Sequence, residues 1–245
     1  MEDKKMIKAC GLTKRYKNLY AVDKLDLEIR QGELFSLLGV NGAGKTTTIK
    51  MLSCLMMPTE GDATVGGYSI RKEAEKVKGI IAVSPQESAV APGLSVKENL
   101  ELICGIHGFS KEKQETKINE LSEKLNLSSI LSRKAGKLSG GWQRRVSIAM
   151  ALISEPKVLF LDEPTLGLDV LARSELWELI RLLKGKVTII LTTHYMEEAE
   201  ALSDRIGIMK DGKMLAIGTA RELMERSSAD RFEDAFIKII KEGEI

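Results

Sequence analysis

The octapeptide Gly39-Val40-Asn41-Gly42-Ala43-Gly44-Lys45-Thr46 limits the possible folds of this chain more than any other feature. It follows an apolar, β-rich run at residues 34–38 and opens a helical pattern over residues 44–54. The spacing GxxxxGK[ST], set between a strand and a helix, predicts a loop whose backbone N–H groups face an anion while the helix dipole adds positive potential behind them. Gly39, Asn41, Gly42, Ala43, Gly44, Lys45, Thr46 and Thr47 form the expected phosphate-binding set. Lys45 is the cation for the β and γ oxygens of a nucleotide, and the Thr46 hydroxyl is suited to Mg²⁺. The loop alone does not separate kinases, GTPases, helicases and transport ATPases.

The rest of the chain sets this loop in an α/β fold. Short β-rich runs at 25–29, 63–65 and 80–83 give way to polar, heptad-like helical sequence over 96–131. Strand-like runs then return at 158–161, 187–192 and 205–209, separated by helical stretches at 170–184 and 196–202. Such alternation predicts a parallel sheet covered by helices. The segment 220–245, with Phe232, Ala235, Phe236, Ile239 and Ile240 at helical spacing, predicts a helical tail packed on the domain.

Charge excludes more than it suggests. Thirty-seven basic and 35 acidic side chains leave a formal charge of +2, so no basic field points to nucleic acid or anionic lipid as the main partner. The cysteines Cys10, Cys54 and Cys104 are odd in number and lack CxxC spacing, which argues against a disulfide framework or zinc site and predicts reduced core residues. The N-terminal MEDKKMIKAC has no apolar signal region, and no 18-residue apolar run occurs anywhere. The expectation is a chain neither secreted nor self-anchored, whose membrane role comes through a partner.

Two further segments carry chemistry. The apolar run at 158–161 ends in Asp162-Glu163-Pro164, which places two carboxylates at the carboxyl edge of a buried strand, where the phosphate loop also opens. Asp162 is suited to hold Mg²⁺, and Glu163, pointing elsewhere, to deprotonate an attacking water. An isolated Asp-Glu-Pro is more often a soluble turn, but the upstream loop favours hydrolysis of a nucleoside triphosphate. Leu138-Ser139-Gly140-Gly141-Trp142-Gln143 opens a helical pattern through residue 153, so Ser139, Gly140 and Gly141 present N–H groups and a helix dipole to a second anion.

In this order the motifs resemble those of the ABC ATPase family, whose signature is LSGGQ, over residues 6–218. The resemblance implies a P-loop NTPase fold: a RecA-like core, an N-terminal antiparallel β subdomain and a helical signature subdomain at about 87–155. The ATPase domain would span residues 1–218 and the tail 219–245. It also implies a head-to-tail dimer in which the signature of one chain meets the nucleotide held by another, identical or homologous.

By the same resemblance Tyr16, upstream of the first strands, takes the place of the adenine-stacking aromatic. Gln86 resembles the glutamine that contacts Mg²⁺ and senses the transmembrane partner. Asp169 lies in the loop that links the two ATP sites, while also being a natural helix cap. His194 matches the switch histidine at the γ-phosphate, giving Glu163, His194 and Lys45 as the expected catalytic set. Trp142 stands where the signature usually has glutamine, with Gln143 displaced by one, and Val170 where proline often follows.

The chain has no NKxD base-reading motif, which disfavours a GTPase, and neither a GTPase nor a small-molecule kinase accounts for LSGGWQ. A soluble ABC ATPase acting on ribosomes or DNA is the alternative to a transporter motor. Such proteins pair two ATPase domains or carry long coiled-coil or zinc inserts, and here the insert is short. The stretches following Asp162 and His194 look most like the bacterial subfamily that exports drugs, sodium or similar cargo through ABC-2-type permeases. The implied cofactors are ATP and Mg²⁺, and the implied partner is a separate permease at the cytoplasmic face of the membrane.

Overall fold

A computed structural model describes residues 4–243 of the chain. The first three residues of the expected ATPase domain and the last two of the expected tail lie outside the described residues.

The chain begins with a long antiparallel hairpin, β1 (Lys5–Tyr16) and β2 (Leu19–Arg30), followed by β3 (Leu34–Gly39) and α1 (Lys45–Leu52). Next come β4 (Glu60–Val65), β5 (Tyr68–Ser69), α2 (Ala74–Lys78) and β6 (Ile81–Ser84). Three helices then run consecutively, α3 (Val96–Ile106), α4 (Lys111–Lys124) and α5 (Gly140–Leu152). The alternating pattern resumes with β7 (Val158–Asp162), α6 (Val170–Leu183), β8 (Thr188–Thr193), α7 (Met196–Leu202) and β9 (Arg205–Lys210). The chain closes with β10 (Lys213–Gly218), α8 (Ala220–Arg226) and α9 (Phe232–Glu242).

Two sheets result. One is antiparallel, in the order β2-β1-β4-β5, and the other runs β10-β9-β3-β8-β7-β6, parallel except for β10 at its edge. Every residue of β3, β7 and β8 is buried, as a central parallel strand covered on both faces requires. Successive side chains point to opposite faces. Leu159, Leu161, Ile189 and Leu191 therefore pack with the helical segment α3–α6, whereas Phe160 and Ile190 pack with α1 and the antiparallel sheet. The fold is thus mixed α/β with three layers, as expected for the family the motifs resemble.

Two expectations are corrected. Tyr16 does not precede the first strands but ends β1. Cys10 is exposed, because it falls on the outward face of β1, while Cys54 is half-buried and only Cys104 is buried. The tail comprises two helices, broken between Arg226 and Phe232 where Ser228 takes a positive φ of 49°. Its apolar face still packs inward, with Phe232, Phe236 and Ile239 sharing a cluster with Leu38 and Ile208 of the parallel sheet.

Candidate functional site

The glycine loop turns between β3 and α1 because its backbone must pass where side chains cannot. Gly44 has φ +103°, and a Cβ there would lie 2.4 Å from the Ala21 carbonyl oxygen; at Gly39 it would lie 2.4 Å from that of Met209. Only glycine meets both demands at residue 44. The Lys45 ammonium, 5% exposed, donates to the Gly39 carbonyl at 2.8 Å and the Val40 carbonyl at 3.3 Å. The loop thus holds its lysine folded back across its own mouth.

Strand register brings the other groups to this edge. Parallel pairing sets Leu38 beside Thr193 and Asp162 beside Thr192, so the ends of β3, β7 and β8 lie together. Asp162 Oδ1 accepts from the Thr46 hydroxyl at 3.1 Å and from the Thr192 hydroxyl at 2.5 Å. The next residue, Glu163, takes φ +47°, a region non-glycine residues seldom occupy. Its N–H, donating to Thr192, stabilises the turn, and the side chain is thrown away from Asp162. Glu163 Oε1 lies 3.5 Å from Lys45 Nζ, and Oε2 lies 2.7 Å from His194 Nδ1. A carboxylate held between an ammonium and an imidazole, at the mouth of a phosphate-type loop, is placed to take a proton from water.

These groups border a cleft of about 580 Å³ that is lined by residues 41–47, Gln86, Glu163 and His194. Gln86 and the preceding Pro85 are fixed through their backbone, since both carbonyls accept from the guanidinium of buried Arg144 on α5. Burial depresses the pKa of Arg144, and Asp162 opposes the shift. Tyr16 is not part of the wall: it is 46% exposed, and its hydroxyl donates to Met56 Sδ. Leu19, its partner across the hairpin, and Tyr20 do line the cleft.

Ser139, Gly140, Gly141 and Asp169 lie elsewhere. Ser139, Gly141, Trp142 and Asp169 border a second cleft of about 220 Å³, between the start of α5 and α6, which shares no residue with the first. Asp169 caps α6, accepting from the Ala172 N–H at 2.9 Å. Ser139 is the exposed N-cap of α5, yet its side chain accepts no capping bond. Gly141 is required by packing, because a Cβ there would come within 2.9 Å of the Ala172 Cβ. Gln143 does not stand in for the glutamine replaced by Trp142. Its amide turns inward, donating to the carbonyls of Ala135 and Leu138 at 3.2 Å each.

The sequence reading missed Thr192 and Arg144. Thr192 had a signal, being a hydroxyl at the carboxyl end of an otherwise apolar strand beside the phosphate loop. Arg144 had none, because an arginine in a polar helix start looks solvated until the fold buries it.

Among the described residues no three His, Cys, Asp or Glu side chains cluster as metal ligands. The oxygens of Thr46 and Asp162, with Gln86 in the same cleft, suit a hard cation that completes its shell with water and phosphate.

Comparison with known proteins follows the same lines. The model of the ABC transporter family matches residues 22–166. The chain is 40% identical over 224 residues to the daunorubicin resistance ATP-binding protein DrrA3 of Streptomyces coeruleorubidus, covering 91% of this chain and 71% of that protein. To the linearmycin resistance ATP-binding protein LnrL of Bacillus subtilis it is 39% identical over 239 residues, covering 97% and 77%. Among solved structures, the dimeric post-hydrolysis state of the ATP-binding cassette MJ0796 bound to ADP and Pi matches with a TM-score of 0.78. That similarity is at 29% identity and covers 87% of this chain and 98% of the other.

Proposed function

Because the chain belongs to the ABC transporter family, we propose that it is the ATP-binding and ATP-hydrolysing subunit of an exporter whose membrane-spanning part is a separate permease. The observation that carries this reading is Glu163, held 3.5 Å from Lys45 and 2.7 Å from His194 at the mouth of the glycine loop.

In this reading the N–H groups of residues 41–47 cradle the phosphates and Lys45 faces the β and γ oxygens. Thr46, Asp162 and Gln86 hold Mg²⁺, which neutralises charge on the phosphate oxygens when bound. Glu163 accepts a proton as water attacks the γ-phosphorus and the bond to the β–γ bridging oxygen breaks, leaving ADP and phosphate. His194 contacts the γ-phosphate and fixes the Glu163 carboxylate. The adenine lies at the hairpin tip and stacks on Tyr16, which stands exposed just outside the cleft, while Tyr20 lines the adjoining wall. Residues 1–218 form the ATPase domain, with its helical part at about 87–155, and residues 219–245 form the tail.

The second anion site serves a second chain. Support comes from the uncapped Ser139 hydroxyl and from the dimeric form of the solved relative. Ser139, Gly140 and Gly141 contact the γ-phosphate bound by the partner chain, and Asp169 links the two sites. DrrA3 and LnrL are resistance proteins, which supports a drug or similar cargo, and the ABC-2-type permease rests on the family resemblance of the stretches following Asp162 and His194. No helix of the described residues is long and apolar enough to cross a membrane, so docking at the cytoplasmic face is assigned to the permease.

Purification from native membranes tests the coupling half: a polytopic permease is the expected companion, and ribosomes or DNA-repair proteins in its place would overturn it. Phosphate release from ATP by the purified chain tests the other half, with Glu163→Gln expected to abolish turnover and retain ATP.

A further inference from the structure

Behind the loop that carries His194 sits a carboxyl group that the reaction described above does not use. Glu198 has no exposed surface. It lies on the buried side of α7 with Ala199 and Leu202, where an apolar residue would be expected. Its Oε1 accepts from the Trp177 indole Nε1 of α6 at 3.0 Å. Its Oε2 makes no hydrogen bond, and neither does the buried hydroxyl of Thr165.

The hydroxyls of Thr165 and Thr193 face this carboxyl. Thr165 stands two residues beyond Glu163, and Thr193 immediately precedes His194. The charged group that acts on Glu198 is Arg173 of α6, whose guanidinium is already paired with Glu197 at 3.3 Å. Burial pushes the Glu198 carboxyl up, and the facing hydroxyls and the indole N–H only partly oppose it. A carboxyl can accept at both of its oxygens. With Oε1 taking the indole N–H, Oε2 is the oxygen left to bond the facing Thr165 hydroxyl, and a bond between them satisfies both orphaned groups.

We infer that Glu198 is a positioning residue for hydrolysis: as a buried hydrogen-bonding hub it ties the turn after Glu163 to the strand end before His194 and to α6. It has no exposed surface and does not line the cleft. Its effect passes through the 2.7 Å contact between Glu163 and His194, which needs both loops held at fixed separation. The inference rests on the ATPase reading above.

The test compares Glu198→Gln, Glu198→Ala and Thr165→Val with the wild-type chain in steady-state ATP hydrolysis, with thermal midpoints measured alongside. Glutamine keeps the size of the carboxyl and an oxygen to accept the indole N–H, and is expected to keep most of the turnover. Alanine is expected to lower kcat about tenfold while KM for ATP stays within about twofold, because positioning of the base is lost and the phosphate cradle is not. Wild-type kcat in Glu198→Ala, or a Glu198→Gln as slow as alanine, would overturn the inference. Should Glu198→Ala not fold, Thr165→Val decides: a lower kcat at unchanged KM supports the hub, and a wild-type kcat overturns it. A wild-type chain without ATP turnover would instead overturn the ATPase reading itself and this inference with it.

Discussion

The mouth of the glycine loop and the start of α5 are both glycine-containing turns leading into helices, yet one is closed on itself and the other is not. At the first, Lys45 is bound by two carbonyls and faces Glu163, Thr46 and Thr192 bond Asp162, and His194 bonds Glu163. At the second, Ser139 is exposed and caps nothing. Its idleness is specific. The other Ser, Thr and Asp N-caps of α-helices among the described residues, Ser95, Ser110, Asp169 and Thr219, each accept a backbone N–H. A helix start left uncapped in one chain can meet an anion supplied by another, whereas a loop that positions its own lysine, acid and base can be read within one chain.

The largest expected effect separates the two regions by chemistry. Glu163→Gln should reduce ATP turnover by about 10²-fold or more, the usual worth of a positioned general base, while ATP binding persists and an ATP-dependent dimer accumulates. Phosphate release and size-exclusion chromatography with and without ATP read both halves. Wild-type turnover in that variant would break the assignment of the base. Lys45→Ala should instead weaken nucleotide affinity and turnover together, by roughly 10-fold or more each, because a charge facing the phosphates is lost. Unchanged affinity in equilibrium nucleotide binding would remove the lysine from the cradle.

A smaller effect sharpens the contrast from the other side. Ser139→Ala should leave the thermal midpoint of the free chain unchanged, since its hydroxyl makes no capping bond, yet lower ATP turnover of the dimer about tenfold by removing a donor from the partner's phosphate. Ser95→Ala is the control. Its hydroxyl accepts from the Glu98 N–H in a capping box, and its loss should cost about 1 kcal/mol in chemical denaturation with no direct effect on nucleotide affinity. Equal stability losses in the two variants would erase the distinction between an occupied and an idle cap.

The smallest effect concerns the same capping box. The Ser95 backbone N–H, then its hydroxyl and Lys134, hold the Glu98 carboxyl down at about 2, against an ordinary value of 4.5. The folded pKa is the lower one, so this contribution is present above 4.5 and is lost as pH falls from there through about 2. Glu98→Gln should flatten that part of the stability profile slightly, and an unchanged acid limb would show that Glu98 is not held by the cap.

How much of this was legible in sequence varied with the locality of the signal. β3, β7 and β8 were plain because central parallel strands are apolar throughout, and α7 had the expected boundaries. β1 was hidden: its exposed positions are lysine, arginine, cysteine and the terminal tyrosine, and its register shifts around Gly11 interrupt the alternation that marks a strand. β10 escaped for a similar reason, with only Ala216 and Gly218 fully buried in an edge strand. The tail's apolar spacing was read correctly, but the break near Ser228 lies in polar sequence that carries no glycine or proline.

The phosphate loop was determined by the sequence itself, because its function resides in contiguous backbone: glycines permit the turn, and the lysine and threonine follow it by covalent connection. The acidic pair and the histidine were visible as residue types at strand ends, but not as a constellation. Their meeting depends on the register that pairs β7 with its near neighbour β8, and β8 with the distant β3, and on a positive φ that turns Glu163 away from Asp162 toward Lys45 and His194. The folded chain alone decides that Thr192 joins this group, that Arg144 and Glu198 are buried behind it, and that the Ser139 hydroxyl is left without a capping bond. Each of these is set by which side chains the packing brings within hydrogen-bond reach, a distance that spacing along the chain does not record.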